Sequence, residues 1–501
     1  MRNITATASL TAIAIMALAS CSTAPDRASG PATANAAGCA AITRVDGSPA
    51  TAQWIAATDG LPAFCEVSAT LHPVEGSNIG VVYRLPADWN GRVLGIGGGA
   101  WLGNTTLMGA RDGLMQGFAT MQTNGGHTST NAWGNEWTIN PIQAEDFSHR
   151  AIHTMTETGK AVAASFYGRP HEEAVYSGCS TGGRMGLMEV QRYPADYDAA
   201  IIGAPVYTLQ VQTSAVLRNQ TFAVPGAGFS QADLQLVQDA SLAQCDADDG
   251  LEDGIINAPD QCQFQPRTLQ CQPGQSEGCL SPQQVTALTT IYSGIRASDG
   301  SWAMHPMRPG GEASWGFFNR TDGSGQNADP TRGGGLMGLQ PVIFGASAVD
   351  WTAFTDANYL TVRNSPFAAM YEAKEPDLSA FFERGGRLML WHGENDAGPS
   401  PVLSEDYARA VAAQNPESGE QFRYFTVPGM GHCAGGPGAD MIDYLGAMSD
   451  WMESGLAPER LIGGKADGSL TRPHCAWPSV AYYEGSGDAN DPANWVCRPR
   501  S

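Results

Sequence analysis

Short runs of apolar and β-branched residues recur along the chain, each bounded by Gly, Pro or Asn. Gly80–Leu85, Arg92–Ile96, Phe118–Thr123, Ala174–Ser177, Ala199–Ile202, Arg387–Trp391 and Phe422–Val427 are expected to be strands. A helical pattern covers Ser148–Tyr167, and another covers Gly182–Arg192, stopped near Pro194. Strand alternating with helix predicts an α/β fold with a mostly parallel sheet. From Val206 to Ala373 this rhythm lapses into cysteines, aromatics and an acidic loop, which reads as an insertion between sheet strands. No internal repeat is present.

The first residues follow a different pattern. Arg2 precedes an apolar stretch, Ile4 to Ala19, that ends Leu18-Ala19-Ser20-Cys21. A short apolar core ending in small residues predicts an export signal over 1–21. The ending resembles a bacterial lipoprotein box, which would place a lipid on Cys21 and leave the chain anchored in the cell envelope, periplasmic or secreted. Ordinary signal cleavage nearby is the rival. Residues 22–37, rich in Ala, Pro, Ser and Thr, read as a tether. The α/β core is then expected over 38–205 and 374–501, with the insertion over 206–373.

Composition narrows the function classes. Hydrophobic residues make up 42% of the 501, enough for a sizeable core and against disorder. The formal charge of −22 repels a nucleic-acid backbone, so no nucleic-acid partner is expected. Past the N-terminus no apolar run is long enough to span a bilayer, so any membrane contact is through the lipid. Oligomeric state is not legible.

Setting Cys21 aside leaves ten cysteines, an even set that suits five disulfides in an oxidising compartment. Zinc is the rival, but no CxxC pair occurs. Sequence-near pairing gives Cys39–Cys65, Cys245–Cys262, Cys271–Cys279 and Cys475–Cys497, and leaves Cys179 and Cys433.

Gly178-Cys179-Ser180-Thr181-Gly182-Gly183 matches G-x-S-x-G between an expected strand and an expected helix. A turn that sharp lifts the Ser180 hydroxyl clear of the sheet, over a helix N-terminus, with the Thr181 N–H facing a developing oxyanion. A serine nucleophile needs a base, and the base an orienting acid. His432 lies in a Gly-rich loop, Val427-Pro428-Gly429-Met430-Gly431-His432-Cys433, and is the expected base. Asp396, in Trp391-His392-Gly393-Glu394-Asn395-Asp396, is the expected acid, with Glu394 its rival and His392 a support for the loop. Gly95-Ile96-Gly97-Gly98-Gly99-Ala100-Trp101 follows an earlier strand, so Gly98 or Gly99 is expected to give a second oxyanion N–H; no GKS/T follows to favour a nucleotide. Cys179 precedes the expected nucleophile and Cys433 follows the expected base. If these two pair, Ser180 and His432 are held as neighbours.

Gly-Cys-Ser-Thr-Gly-Gly-Arg (178–184), Trp-His-Gly-Glu-Asn-Asp (391–396) and Gly-Met-Gly-His-Cys (429–433) together resemble the tannase/feruloyl esterase family, which includes bacterial mono(2-hydroxyethyl) terephthalate hydrolases. The resemblance runs from Cys39 to about Arg500. It implies an α/β-hydrolase fold with a large inserted lid, catalytic Ser180, Asp396 and His432, a Cys179–Cys433 disulfide, and small aromatic esters as substrates. Thr123-Asn124-Gly125-Gly126-His127 is similar to a family segment that often carries Asp where this chain has Asn124, which leaves the role of His127 open.

Residues 245–256 pack five carboxylates into eight positions, with glycines for sharp turns. Hard oxygen ligands at that spacing suit Ca²⁺, although the loop is not an EF-hand, with Asn257 where the bidentate Glu would fall. The family pattern implies carboxylates from Asp246, Asp249 and Asp253 and carbonyls from Leu251 and Ile255, with Asp248 variable. A solvated acidic turn is the alternative. For the aryl pocket, Trp101, Trp302, Trp315, Phe317, Phe318, Phe344, Trp351 and Phe354 are candidates, each more simply a core residue. Arg308, Arg320, Arg332 and Arg363 are candidates for a substrate carboxylate. Rival functions are a serine hydrolase of another class, peptidase or acyltransferase, and a non-catalytic calcium-binding surface lipoprotein.

Overall fold

The computed structural model describes residues 34–58, 60–316, 324–329 and 334–500. The signal, Cys21, most of the tether, Phe317, Phe318, Arg320 and Arg332 lie outside the described residues.

Among the described residues a short helix, Ala36–Ala40, leads into four strands, β1 (Arg44–Val45), β2 (Ser48–Ile55), β3 (Phe64–Leu71) and β4 (Ile79–Pro86), paired antiparallel in sequence order. Then β5 (Arg92–Ile96), β6 (Ala119–Thr123), β7 (Glu173–Cys179) and β8 (Ala199–Gly203) alternate with helices. In the segment that follows β8, a two-stranded ribbon, β9 (Ile295–Arg296) and β10 (Trp302–Met304), accompanies a set of helices. The large sheet resumes with β11 (Arg387–Gly393) and β12 (Phe422–Val427). Its order is β1-β2-β3-β4-β6-β5-β7-β8-β11-β12. From β6 to β12 all neighbours are parallel, as the strand–helix alternation predicts. Crossover helices cover both faces, so polar and apolar positions alike are enclosed: β6 (Ala-Thr-Met-Gln-Thr) and β8 (Ala-Ala-Ile-Ile-Gly) are buried at every position. β2 and β3 are absent from the hydrophobic-run reading: β2 has no fully buried position, and β3 buries Phe64, Cys65, Val67 and Leu71 between the less buried Glu66, Ser68, Ala69 and Thr70.

One apolar core lies on each face of the sheet. Tyr176, Leu187, Met155 and Leu388 belong to one; Val175, Ile201, Met389 and Trp451 belong to the other. The segment between β8 and β11 packs its own core around Phe222, Phe229, Val237, Leu288 and Trp315. Its helices include Gln210–Ala223, Gln231–Cys245 and Pro282–Ser293; Ser230 and Ser281 cap the latter two, each accepting the backbone N–H three residues on. After β12 the chain adds β13 (Met441–Ile442), β14 (Arg460–Gly464) and β15 (Thr471–Cys475), then a hairpin of β16 (Ser479–Tyr483) and β17 (Trp495–Pro499).

Five disulfides are present: Cys39–Cys65, Cys179–Cys433, Cys245–Cys262, Cys271–Cys279 and Cys475–Cys497. They are the four sequence-near pairs and the leftover pair. Among the described residues, no helix is long and apolar enough to cross a membrane.

Candidate active site

The site is built on the C-terminal ends of β5, β7, β11 and β12. β7 runs straight into the helix Thr181–Arg192 through Ser180, whose φ of 63° and ψ of −124° are strained for a residue with a side chain. Neighbouring glycines make that turn possible. A Cβ on Gly182 would stand 2.7 Å from the Gly98 carbonyl oxygen, and one on Gly97 would stand 2.5 Å from the Gly182 Cα. The elbow therefore presses directly on the Gly-rich loop after β5. The Thr181 hydroxyl, which donates to the Ala100 carbonyl at 2.5 Å, fastens the two together.

β11 and β12 deliver the other two side chains. His432 Nε2 is 2.9 Å from Ser180 Oγ, and His432 Nδ1 is 2.6 Å from Asp396 Oδ2. The Cys179–Cys433 bridge, with Cα atoms 6.0 Å apart, joins the residue before Ser180 to the residue after His432. Glu394 takes no part: it turns the other way, toward Arg500 at 3.4 Å and Arg308 at 3.9 Å.

Asp396 has further partners. Its Oδ1 accepts the Gly398 N–H at 2.7 Å, and its Oδ2 also receives His392 Nε2 at 3.1 Å. His392 Nε2 faces only acceptors, Asp396 and the Pro399 carbonyl, so it carries the proton; Nδ1 then accepts from the Ser404 hydroxyl at 2.7 Å. Arg218, on the helix Gln210–Ala223 of the inserted segment, donates to the Gly398 carbonyl at 2.6 Å and so grips the acid loop from the far side. Sequence reasoning assigns His392 to loop support without this contact; its spacing of four from Asp396 was the available signal. Ser404 and Arg218 are brought in by tertiary packing and carry no local mark.

Charge follows from this wiring. Burial alone would raise Asp396, but His432 and His392 outweigh it and hold the carboxyl well below the usual carboxylate range. Burial alone would lower His432, but the Asp396 carboxylate overrides it and moves the imidazole above 6.5.

In the Gly-rich loop, the Gly99 N–H is spent on the Leu102 carbonyl at 3.0 Å, which leaves Gly98 of the two expected donors. Trp101 is 2% exposed and packs against Trp137, Phe147 and Tyr371. His127 stacks on Trp137, and burial pushes its pKa down to about 4. Asn124 Oδ1 accepts the N–H groups of Gly80 and Gly126, each at 2.9 Å, an acceptor role that Asp fills equally well. A cavity of about 390 Å³ opens beside His432. Asn395, Ala397 and Gly431 line it from the core, and Gln238, Gly311, Ala313 and Ser314 from the inserted segment.

The remaining ring and cation candidates have partners elsewhere. Trp315 is in the insertion's own core, Trp351 stacks on Phe354 with Phe344 edge-on, and Trp302 lies under Arg296. Arg308 pairs with Glu405 at 2.6 Å and Arg363 with Asp299 at 3.1 Å.

The acidic loop folds as a tight turn between Gly250 (φ 94°) and Gly254 (φ 82°), closed by Cys245–Cys262. Asp246 accepts the N–H groups of Asp253, Gly254 and Ile255, and Asp249 accepts that of Leu251. Asp253 pairs through Oδ2 with Arg472 at 2.6 Å, while its Oδ1 is buried with no hydrogen-bond partner. Burial, with Asp253 and Asp246 nearby, pushes Asp249 up to about 7. An all-oxygen donor set with an orphaned carboxylate oxygen fits a hard cation.

A strained serine at a strand-to-helix turn of a parallel sheet, backed by a histidine and a buried acid from later strands, defines an α/β-hydrolase. The chain belongs to the tannase and feruloyl esterase family, which matches residues 65–498. It is 33% identical to mono(2-hydroxyethyl) terephthalate hydrolase of Piscinibacter sakaiensis, over 90% of this chain and 87% of that protein. It is 30% identical to a probable feruloyl esterase B-1 of Neosartorya fischeri, over 87% of this chain and 86% of that one. The crystal structure of feruloyl esterase B from Aspergillus oryzae superposes with a TM-score of 0.81 at 27% identity, covering 92% of this chain and all (100%) of the other. The chain is accordingly a carboxylic ester hydrolase.

Proposed function

We propose that this chain is an exported serine esterase that hydrolyses aromatic carboxylic esters through Ser180, His432 and Asp396. The observation that carries the reading is the unbroken relay from Ser180 Oγ through His432 to Asp396, at 2.9 and 2.6 Å. Ser180 attacks the ester carbonyl while His432 Nε2 takes its proton, and Asp396 holds the imidazole by Nδ1 and offsets its developing charge. The oxyanion is received by the N–H groups of Thr181 and Gly98. His432 then protonates the departing alcohol, and water, activated by the same imidazole, releases the acid.

The inserted segment acts as the lid, meeting the core at the cavity beside His432. An aromatic acyl group is favoured by the relatives named for terephthaloyl and feruloyl esters. Asp246, Asp249 and Asp253, with the carbonyls of Leu251 and Ile255, would hold a calcium ion. Its part is to neutralise the acidic loop and fix the lid's base. Export is supported by the five disulfides and by the apolar N-terminal stretch with Cys21 at its end, the proposed lipid site.

The test is a panel of methyl ferulate, methyl gallate, a terephthalate monoester, an aliphatic ester and a peptide, each with wild type and Ser180→Ala. The expected result is turnover of at least one aryl ester, lost in the variant. Turnover confined to the peptide or the aliphatic ester, or retained by Ser180→Ala, would overturn the reading.

A further inference from the structure

At the end of the elbow helix remote from Ser180, three metal-ligand side chains converge. His153, on the helix Ala151–Tyr167, meets Glu189 of the elbow helix and Asp196 of the loop after it, with one donor atom from each lying within 4.8 Å of the others. His153 Nδ1 is 2.7 Å from Asp196 Oδ2. The imidazole is held flat by Tyr193, stacked at 3.9 Å and 6°.

Glu189 is the telling member. It is 0% exposed, and neither of its carboxylate oxygens has a hydrogen-bond donor. One of its carboxylate oxygens lies within 4.8 Å of an Asp196 carboxylate oxygen. The neighbouring ammonium, Lys160, donates to the Asp196 backbone carbonyl rather than to either carboxylate. Two carboxylates that face each other out of water need a positive species between them, either a proton or a metal ion. One imidazole and two carboxylates, with His153 a third exposed on its outer side, make a mixed N/O set open to water. That set suits Zn²⁺ or Mn²⁺ better than the all-oxygen preference of Ca²⁺. Ligand atoms around a tetrahedral zinc stand about 3.4 Å apart, inside the spread observed.

We infer that His153, Glu189 and Asp196 form a divalent transition-metal site, zinc by its ligand set, distinct from the acidic loop of the lid. Glu189 lies two and a half turns beyond Ser180, about 13 Å along the axis, so the ion would not touch an ester on the serine. It would tie the elbow helix to its neighbour and steady the nucleophile's turn from behind.

The test is zinc titration of tag-free protein, stripped with chelator and then kept in calcium throughout, followed by calorimetry and thermal unfolding. Wild type is expected to bind about one zinc per chain and to gain melting temperature. His153→Ala, a change at a half-buried position, is expected to bind at least tenfold more weakly and to lose that gain, while Asp253→Asn keeps both. Asp196→Asn is the second ligand variant should His153→Ala fail to fold. Equal zinc binding by the ligand variants would overturn the site. So would a wild type that takes up neither zinc nor manganese at 100 μM (roughly a Kd too weak to add even 1 kcal/mol), leaving a shared proton between Glu189 and Asp196.

Discussion

Cys179 and Cys433, separated by 254 positions in the chain, are bonded to each other, and each is the immediate neighbour of a reacting side chain. Closing a loop of that length removes unfolded-state entropy worth about 5 kcal/mol in the chain-entropy account. The bridge also limits how far the His432 loop can drift from the elbow. Cys179→Ala/Cys433→Ala is expected to lower both the melting temperature and kcat, the latter by tenfold or more, with KM little changed. Stopped assays of the double variant beside wild type check this. An unchanged kcat would show that the sheet alone holds the relay.

Asp396→Asn removes the charge that lifts His432 above 6.5. A raised pKa means the imidazole takes up its proton at higher pH, so wild-type kcat/KM declines on acidification from a point above the ordinary histidine value. In the variant that decline is expected to move to lower pH, while the plateau falls by about 10³–10⁴-fold. A pH–rate profile of both proteins decides; an acid limb that stays in place would assign it to another group.

His392 is expected to matter to the rate although it touches no substrate. His392→Ala strips one donor from Asp396 and leaves the Ser404 hydroxyl without its acceptor. Hydrogen bonds to charged groups contribute about 1.5–3 kcal/mol, so kcat should fall about tenfold to a hundredfold at constant KM. His392→Gln, whose amide still donates, should recover part of the loss. Equal losses in the two variants, matched by equal losses in melting temperature, would reduce His392 to packing.

The glycine loops make a sharp contrast. Gly182→Ala puts a methyl group 2.7 Å from a backbone oxygen, whereas Gly99→Ala meets nothing within 4 Å. The first is expected to cost about 10²-fold or more in kcat by displacing the Thr181 and Gly98 donors, and the second to be nearly neutral. Kinetics of the two variants, with circular dichroism to confirm folding, test the assignment.

Chelation should act on stability first. If calcium occupies the acidic loop, EDTA is expected to lower the melting temperature by a few degrees, reversed by calcium, with Asp249→Asn insensitive to both. Saturation a hundredfold above Kd adds about 2.7 kcal/mol to a folded state. A melting temperature indifferent to EDTA would make the loop a solvated turn.

Much of the site was legible because its chemistry is local. A strand, a glycine-flanked serine and a helix announce an elbow wherever they stand, and the Trp-His-Gly-Glu-Asn-Asp and Gly-Met-Gly-His-Cys loops carry their own turns. The choice between Asp396 and Glu394 was open in the sequence, since both follow the same strand two residues apart; only the fold shows Glu394 turned toward Arg500. Gly98 and Gly99 were equally open until the Leu102 carbonyl claimed one of them. Arg218 carries no local mark because its partner lies 180 positions away, and Ser404, 12 positions after His392, meets it only once the helix after β11 folds back on that strand. β2 and β3 pattern weakly in the sequence because β2 buries none of its residues fully and Glu66, Ser68, Ala69 and Thr70 break up the buried apolar positions of β3.

The strand order has a practical use. β1 lies six strand spacings from β7, about 29 Å at the usual spacing, and on the opposite flank from β12. An enzyme coupled to a bead or film through that edge would present its reacting serine away from the support, leaving bulky or polymeric feedstock free to approach.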